Sequence, residues 1–428
     1  MKRNTKTKQS GQAMIIAAVF FLVISFILML GLSSPVLRQI KNATDFNLSR
    51  GSLYAAESIT DDLVVRFKTG KSIPASPSLT LNYSTSDAVI SDVPEGKSIV
   101  ATGNSLSVVR RTATTITAGS GVAFHYGVQV GDGGFDLQNT SSILGNVFSN
   151  GPITGAGNTI KGDVISAGIS GLVDGIHATS SVWAHTITGS DIEGDAYYTT
   201  ISGTSVDGVL YPGSPDQEAA ELPITDDIVE DWKLAAASGG TLSSPCPYKI
   251  TEDQNLGPIK IDCNLDISGD PTITLDGHVW VAGNIDIQNT AVININSSLG
   301  DTGLVVVADD LSDRVTGSKI ILQNSVQFNG SGPGNKSYVL FISQNNDAEG
   351  GGNNIAIEAK NSVNGDLLLY AGHGLIELQN SISLKEVSAY RIRTKNTAEV
   401  IYETGLANLL FSAGPGGGYD LDFWKEVE

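Results

Sequence analysis

The chain has 428 residues, a formal net charge of -19, and two cysteines. That acidity argues against nucleic acid as a partner, because phosphates are held by lysine and arginine patches. Two cysteines alone make no zinc site, and 48 glycines with charged residues at only 17% suit short stacked strands joined by tight turns.

Residues 1–11 form a basic leader with Lys2, Arg3, Lys6 and Lys8. The next twenty residues, Ala13 to Leu32, are uncharged. As a helix they cover about 30 Å, the thickness of a bilayer core. A transmembrane helix is predicted, with a cytoplasmic N-terminus and everything past Leu32 outside. A cleaved signal peptide is the alternative, ending near Gly31-Leu32-Ser33-Ser34. The apolar stretch is longer than a signal core, which favours a retained helix. The helical pattern runs on through Val36, Ile40, Leu53, Ala56, Ile59, Leu63 and Phe67, the later ones at helical spacing. Pro35 is expected to kink it and Gly70 to end it.

Residues 70–126 read as an irregular β connector, punctuated by Pro74, Pro77 and Pro94-Glu95-Gly96. A repetitive grammar then occupies 127–211 and 266–412. Four phrases carry the pattern apolar-x-apolar-Gln-Asn-Ser/Thr, with their glutamines at Gln138, Gln288, Gln323 and Gln379. Two apolar residues at period two face a core. The asparagine takes the bend, since it tolerates the left-handed region. The spacing between phrases is not fixed, which variable loops explain. A parallel β-helix is predicted, with roughly ten coils of about 20 to 25 residues and a length of about 50 Å. A β-sandwich also alternates, but has no reason to repeat an asparagine bend. Stacked coils do, because asparagines hydrogen-bond in ladders.

Residues 212–265 look like a helical and cysteine-containing insertion. Thr225 is a candidate N-cap, with Asp226, Asp227, Glu230 and Asp231 near the positive helix end. Ile228, Trp232 and Ala235 or Ala236 offer a face for the solenoid flank. Cys246 and Cys263 are candidates for a disulfide, in keeping with an oxidising compartment. Two unrelated buried thiols are the alternative. Residues 413–428, with Tyr419-Asp420-Leu421-Asp422-Phe423-Trp424, are expected to cap the last coil.

No constellation points to catalysis, a metal or a cofactor. His125, His177, His185, His278 and His373 are scattered. The doublets Asp61-Asp62, Asp226-Asp227 and Asp309-Asp310 raise the thought of a polysaccharide-cleaving carboxylate pair. The first two fall on helices, where acids are simply solvated. Gly131-Asp132-Gly133-Gly134-Phe135-Asp136 resembles a calcium-binding turn, but stands alone and reads better as a plain turn.

Ser10-Gly11-Gln12-Ala13-Met14-Ile15-Ile16, the apolar helix, and Leu53-Tyr54-Ala55-Ala56-Glu57-Ser58 together resemble PilX-type proteins, accessory members of the type IV pilin system. The resemblance covers about residues 9 to 66. It implies prepilin cleavage between Gly11 and Gln12, and packing of the helix with pilin-like helices of other subunits. Most pilins carry Glu at the fifth mature position; cleavage after Gly11 puts Ile16 there in this chain. The repetitive part, with Gly145-Asn146-Val147-Phe148-Ser149-Asn150-Gly151, is loosely similar to bactofilins, which are polymer-forming β-helices. The expectation is a mainly β chain: a pilin-like N-terminal helix over 12–69 with its transmembrane segment at 13–32, then an acidic β-helix outside the membrane. Its expected role is structural or adhesive, with the lipid bilayer, other pilin-like helices, and a surface glycan or neighbouring-cell ligand as partners. A membrane-anchored polysaccharide-active enzyme and a bactofilin-like polymer former are the alternatives.

Overall fold

A computed structural model describes residues 10–69, 73–74, 76–93, 96–106, 108–118, 121–122, 126–332, 337–401, 409–411 and 419–427. The protein is mainly β with one long N-terminal helix, α1, spanning Ser10–Thr69. At 60 residues, α1 is about 90 Å long. It is assigned as one continuous helix with Pro35 inside it.

The two ends of α1 differ. Its first part is apolar and uncovered: Met14, Phe21 and Leu22 are each at least 70% exposed. This helix is long and apolar enough to cross a membrane. Its last turns are buried, with Ala56, Ile59 and Leu63 against Ile99, Ala101 and Ile116. Those partners lie on an antiparallel sheet of β1 (Ser78–Leu81), β2 (Ser84–Val93), β3 (Gly96–Ser105) and β4 (Val108–Ala118). The stretch expected as an irregular connector is therefore mostly regular sheet. Pro74 and Pro77 fall before β1, where a missing N–H costs no ladder bond; Pro94 lies outside the described residues. Helix and sheet approach closely at Gly103, where a Cβ would lie 1.8 Å from the Ser52 carbonyl oxygen. Only glycine fits there.

The fifth strand of this sheet is the C-terminal segment Tyr419–Val427, antiparallel to β4. Residues 413–428 were expected to cap a solenoid coil; the described part closes the helix-bearing sheet instead. Everything between β4 and this strand is an excursion. Two short strands, Gly121–Val122 and Leu409–Phe411, pair with each other at its base.

The excursion is a solenoid-like sheet of parallel strands in two segments. The first covers Val128–Leu137 to Leu210–Pro212 and the second covers Thr241–Leu242 to Glu399–Ile401. They do not stack in chain order. The last coil of the second segment lies on the first coil of the first, with Val387 beside Val128, Ile392 beside Phe135 and Val400 beside Ile143. The pairing is parallel and passes through all three faces. The Cys246–Cys263 region, expected as an insertion, already belongs to the second segment: Tyr248 pairs with Leu265 and Thr241 with Lys260. One face carries thirteen successive strands among the described residues, or about 60 Å at the strand spacing.

A single core runs the length of this stack. Val279, Val306, Phe341, Leu369, Val387 and Val128 follow one another on successive coils, all at most 3% exposed. Each such side chain contributes about 1.5–3 kcal/mol on leaving water, and the column crosses the joint without a break. Coil length varies instead at the loops. Hydrogen bonds between equivalent positions span 14 to 17 residues in the first segment and 16 to 37 in the second.

Candidate functional site

The corner of the coil shows what the repeated asparagines do. Asn289, Asn324, Asn361, Asn380, Asn396 and Asn139 all have φ between 55° and 70°. Five of them form a ladder. Asn139 Nδ2 donates to Asn396 Oδ1 (2.9 Å), Asn396 to Asn380 (2.5 Å), Asn380 to Asn361 (2.9 Å) and Asn361 to Asn324 (3.1 Å). The rung from Asn396 to Asn139 spans the joint. Two members, Lys360-Asn361-Ser362 and Lys395-Asn396-Thr397, escaped the sequence pattern because lysine stands where it sought glutamine. Gln323, Lys360, Gln379 and Lys395 occupy one outward column, where either long polar side chain serves. The following residue sets the corner type. Ser325, Ser362 and Ser381 are also left-handed, with φ of 62° to 70°. No threonine appears among the positive-φ residues, as a β-branched side chain resists that region.

A strap crosses the joint from outside. After Pro212 the chain doubles back along the solenoid: the Gly168 amide donates to the Gln217 carbonyl at 2.9 Å. Asn150 and Ala220 exchange two hydrogen bonds, and Gln129 Nε2 reaches the Glu221 carbonyl at 2.8 Å. The Tyr370 hydroxyl donates to the Ile224 carbonyl. Helix α2 (Asp226–Ala237) follows, its N-terminus capped by Thr225. Ile228, Val229 and Trp232 pack on Val305, Val307, Leu340 and Leu368 of the second segment. Arg66 of α1 pairs with Glu218 of the strap at 2.7 Å, tying the helix to it.

The acidic doublets have structural partners. Asp309 is wholly buried, held by Lys233 Nζ at 2.6 Å and by both Nε and Nη2 of Arg314 at 2.7 and 2.8 Å. Lys233 itself is 1% exposed and lies 4.7 Å from the Trp280 ring centroid. The hydrogen bonds to Asp309 raise the Arg314 pKa. Asp310 accepts from the amide and hydroxyl of Ser312. Asp62 pairs with Arg66 and Asp226 with His373. Asp309 is thus the buried anchor of α2. Lys233, which carries that anchor, went unnoticed in the sequence because a lysine inside a polar helix reads as solvated.

The histidines are dispersed. His177 meets Glu193 at 3.0 Å and His185 meets Asp216 at 3.1 Å. His278 is buried and its Nδ1 accepts from the Val305 amide. His125 lies outside the described residues. His373 sits between Glu349 (2.7 Å) and Asp226 (3.1 Å). Burial opposes its charge, but the two carboxylates outweigh burial and raise its pKa. Gly131 to Gly134 is not a free turn: it lies within the strand Val128–Leu137, opposite a register shift at Ala389/Arg391. Among the described residues, no cluster of three or more His, Cys, Asp or Glu side chains is placed to hold a metal.

Cys246 and Cys263 are disulfide-bonded, with Cα atoms 5.8 Å apart. The bond joins the first coil of the second segment to the next. Gly11 and Gln12 fall in the first turns of α1, and their side chains lie outside the described residues.

No protein-family model matches the chain, and no curated protein does. Among solved structures it is similar to the competence-associated pilin ComZ from Thermus thermophilus, at 10% identity and a TM-score of 0.30, over 89% of this chain and 97% of that one. It is also similar to an ice binding protein from an Antarctic Flavobacteriaceae bacterium, at 10% identity and a TM-score of 0.14, over 66% of this chain and 82% of that one.

Proposed function

We propose that this chain is a single-pass, pilin-like surface protein that carries a parallel β-helix outside the membrane. In this reading residues 13–32 span the bilayer with the basic leader in the cytoplasm. The observation that carries it is the division of α1. One end is bare and apolar, and the other is buried on an antiparallel sheet that the C-terminal strand completes. A helix that only crossed a membrane would have no need of that sheet, and a soluble core helix would not leave Met14 to Leu30 uncovered.

The role is structural or adhesive, as a minor or accessory component of a type IV pilus-like assembly related to PilX-type proteins. Val36, Leu37, Ile40 and Phe46 lie between the apolar span and the sheet, each at least 50% exposed. They are suited to pack against pilin-like helices of other subunits. The acidic exterior argues against nucleic acid, and the ligand in this reading is a surface glycan or a neighbouring cell. Catalysis is not part of the reading, because Asp309, the strongest candidate acid, is consumed by Lys233 and Arg314.

The test is the N-terminal sequence of the mature protein, from membranes and from material sheared off cells. A start at Gln12 in the sheared fraction supports assembly into a surface fibre despite Ile16. A start at Met1 confined to membranes reduces the protein to a plain anchor.

One observation favours a second reading, a polymer former that grows through solenoid ends. The last coil of the first segment leaves Val209 and Leu210 at least 50% exposed. Filaments of detergent-solubilised protein under the electron microscope would support it; particles of a single size would exclude it.

A further inference from the structure

A buried carboxyl group lies next to the strap: Leu222 and Ile224 pack with Leu368 and Tyr370, the residues that pair with Glu386 and Ser388. Glu386 lies on the strand Glu386–Lys395, beside Leu368 and next to the joint. Its neighbour Val387 points into the core, so Glu386 and Ser388 point outward, on the face that also carries Leu368 and Tyr370. Glu386 is nonetheless fully buried. Oε1 accepts from the Ser388 hydroxyl, and Oε2 has no hydrogen-bond partner. A bare carboxylate oxygen in that position costs several kcal/mol, more than a protonated carboxyl would. Tyr370 on the adjacent coil is buried as well, and burial, Asp226 and Glu386 all raise its pKa, so it stays neutral. Lys385, next in sequence, reaches Asp366 at 4.0 Å.

A second group sits at the other edge of the same structure. His373, on the strand Leu367–Gln379, bridges Asp226 of α2 and Glu349 of a neighbouring loop. Losing its proton removes the charge in both pairs.

We propose that residues 213–237 are an acid-latched strap: protons on Glu386 and His373 hold it across the joint, and rising pH releases it. The signs agree. Burial raises Glu386 well above the usual carboxylate range. Its contribution is complete below the unfolded value of about 4.3 and is lost as pH rises toward the folded one. His373 is raised as well, so its contribution is complete below about 6.5 and is lost as pH rises through its folded value. Both losses run in one direction, against the Lys233–Asp309–Arg314 anchor of α2, which neither proton touches.

Hydrogen exchange of the full chain in detergent micelles, at about pH 5.5 and 8.5 with correction for intrinsic rates, tests this. Protection across 213–237 is expected to fall at least about tenfold, the factor for one unit of pKa difference, while strand Val279–Val281 is unchanged. Glu386→Gln keeps the carboxyl's shape without its charge and is expected to retain more protection at high pH. His373→Gln is expected to lose protection at low pH. A flat wild-type profile overturns the proposal whatever the variants do, as does an identical pH response in Glu386→Gln.

Discussion

The two solenoid segments turn the same corner with different residues. In the second segment the corner runs Gly269, Asn289, Asn324, Asn361, Asn380, Asn396, and Asn139 continues it across the joint; in the first it becomes Gly157, Gly175, Gly189, Gly203, all at positive φ. The backbone demand is constant and the chemistry is not. Asparagine accepts the left-handed conformation and adds a side-chain ladder, whereas glycine accepts it without strain and adds nothing. Coil length does not follow the corner residue: glycine corners recur every 14 to 18 residues and asparagine corners every 16 to 37. The segments also differ in what covers them: α2 lies on the second, and the thin strap on the first.

That comparison breaks most sharply at the anchor of α2. Asp309→Ala leaves Lys233 and Arg314 facing a buried void and should cost about 3–5 kcal/mol, read as a fall in the denaturation midpoint. Gly175→Asn should cost roughly 2–3 kcal/mol despite the correct backbone preference, because a Cβ there meets the Gly155 carbonyl oxygen at 2.4 Å. Asn361→Ala removes two rungs and the left-handed preference, and should cost about 2 kcal/mol by thermal unfolding. Gly203→Asn sharpens the comparison from the other side. A Cβ at Gly203 meets nothing closer than 3.8 Å, so the change should stay within about 1 kcal/mol of wild type. A large loss there would show that the first segment requires glycine for reasons beyond φ.

Much of this was legible in the chain. The apolar run of α1, the Thr225 cap, the Ile228 and Trp232 face, and the asparagine bends follow from period and residue type alone, because each is a local preference. The stacking order was not. Nothing in Val128 or Val387 marks them as partners, since any apolar strand pairs with any other of the same period. The sheet of β1–β4 was hidden by its small residues: Ser, Thr and Ala in strands such as SIVATGNS alternate too weakly to announce a buried face. The C-terminal strand was assigned to the wrong partner because its aromatics suit either a coil end or a sheet edge. The Asp309 anchor was invisible because a buried ion pair across 76 residues has no sequence period.

The doubled-back order of the coils makes the solenoid an excursion between β4 and the C-terminal strand. Paired cysteines test it directly. Asn139→Cys with Asn396→Cys places two thiols on adjacent coils, 257 residues apart in sequence, within the reach of a disulfide of about 4.4–6.8 Å between Cα atoms. Under mild oxidation the account predicts an intrachain crosslink between these positions, visible as a shift in gel mobility and as a linked peptide. A crosslink instead between Gly203→Cys and Glu252→Cys, the corners that chain-order stacking would bring together, with none between 139 and 396, would contradict it.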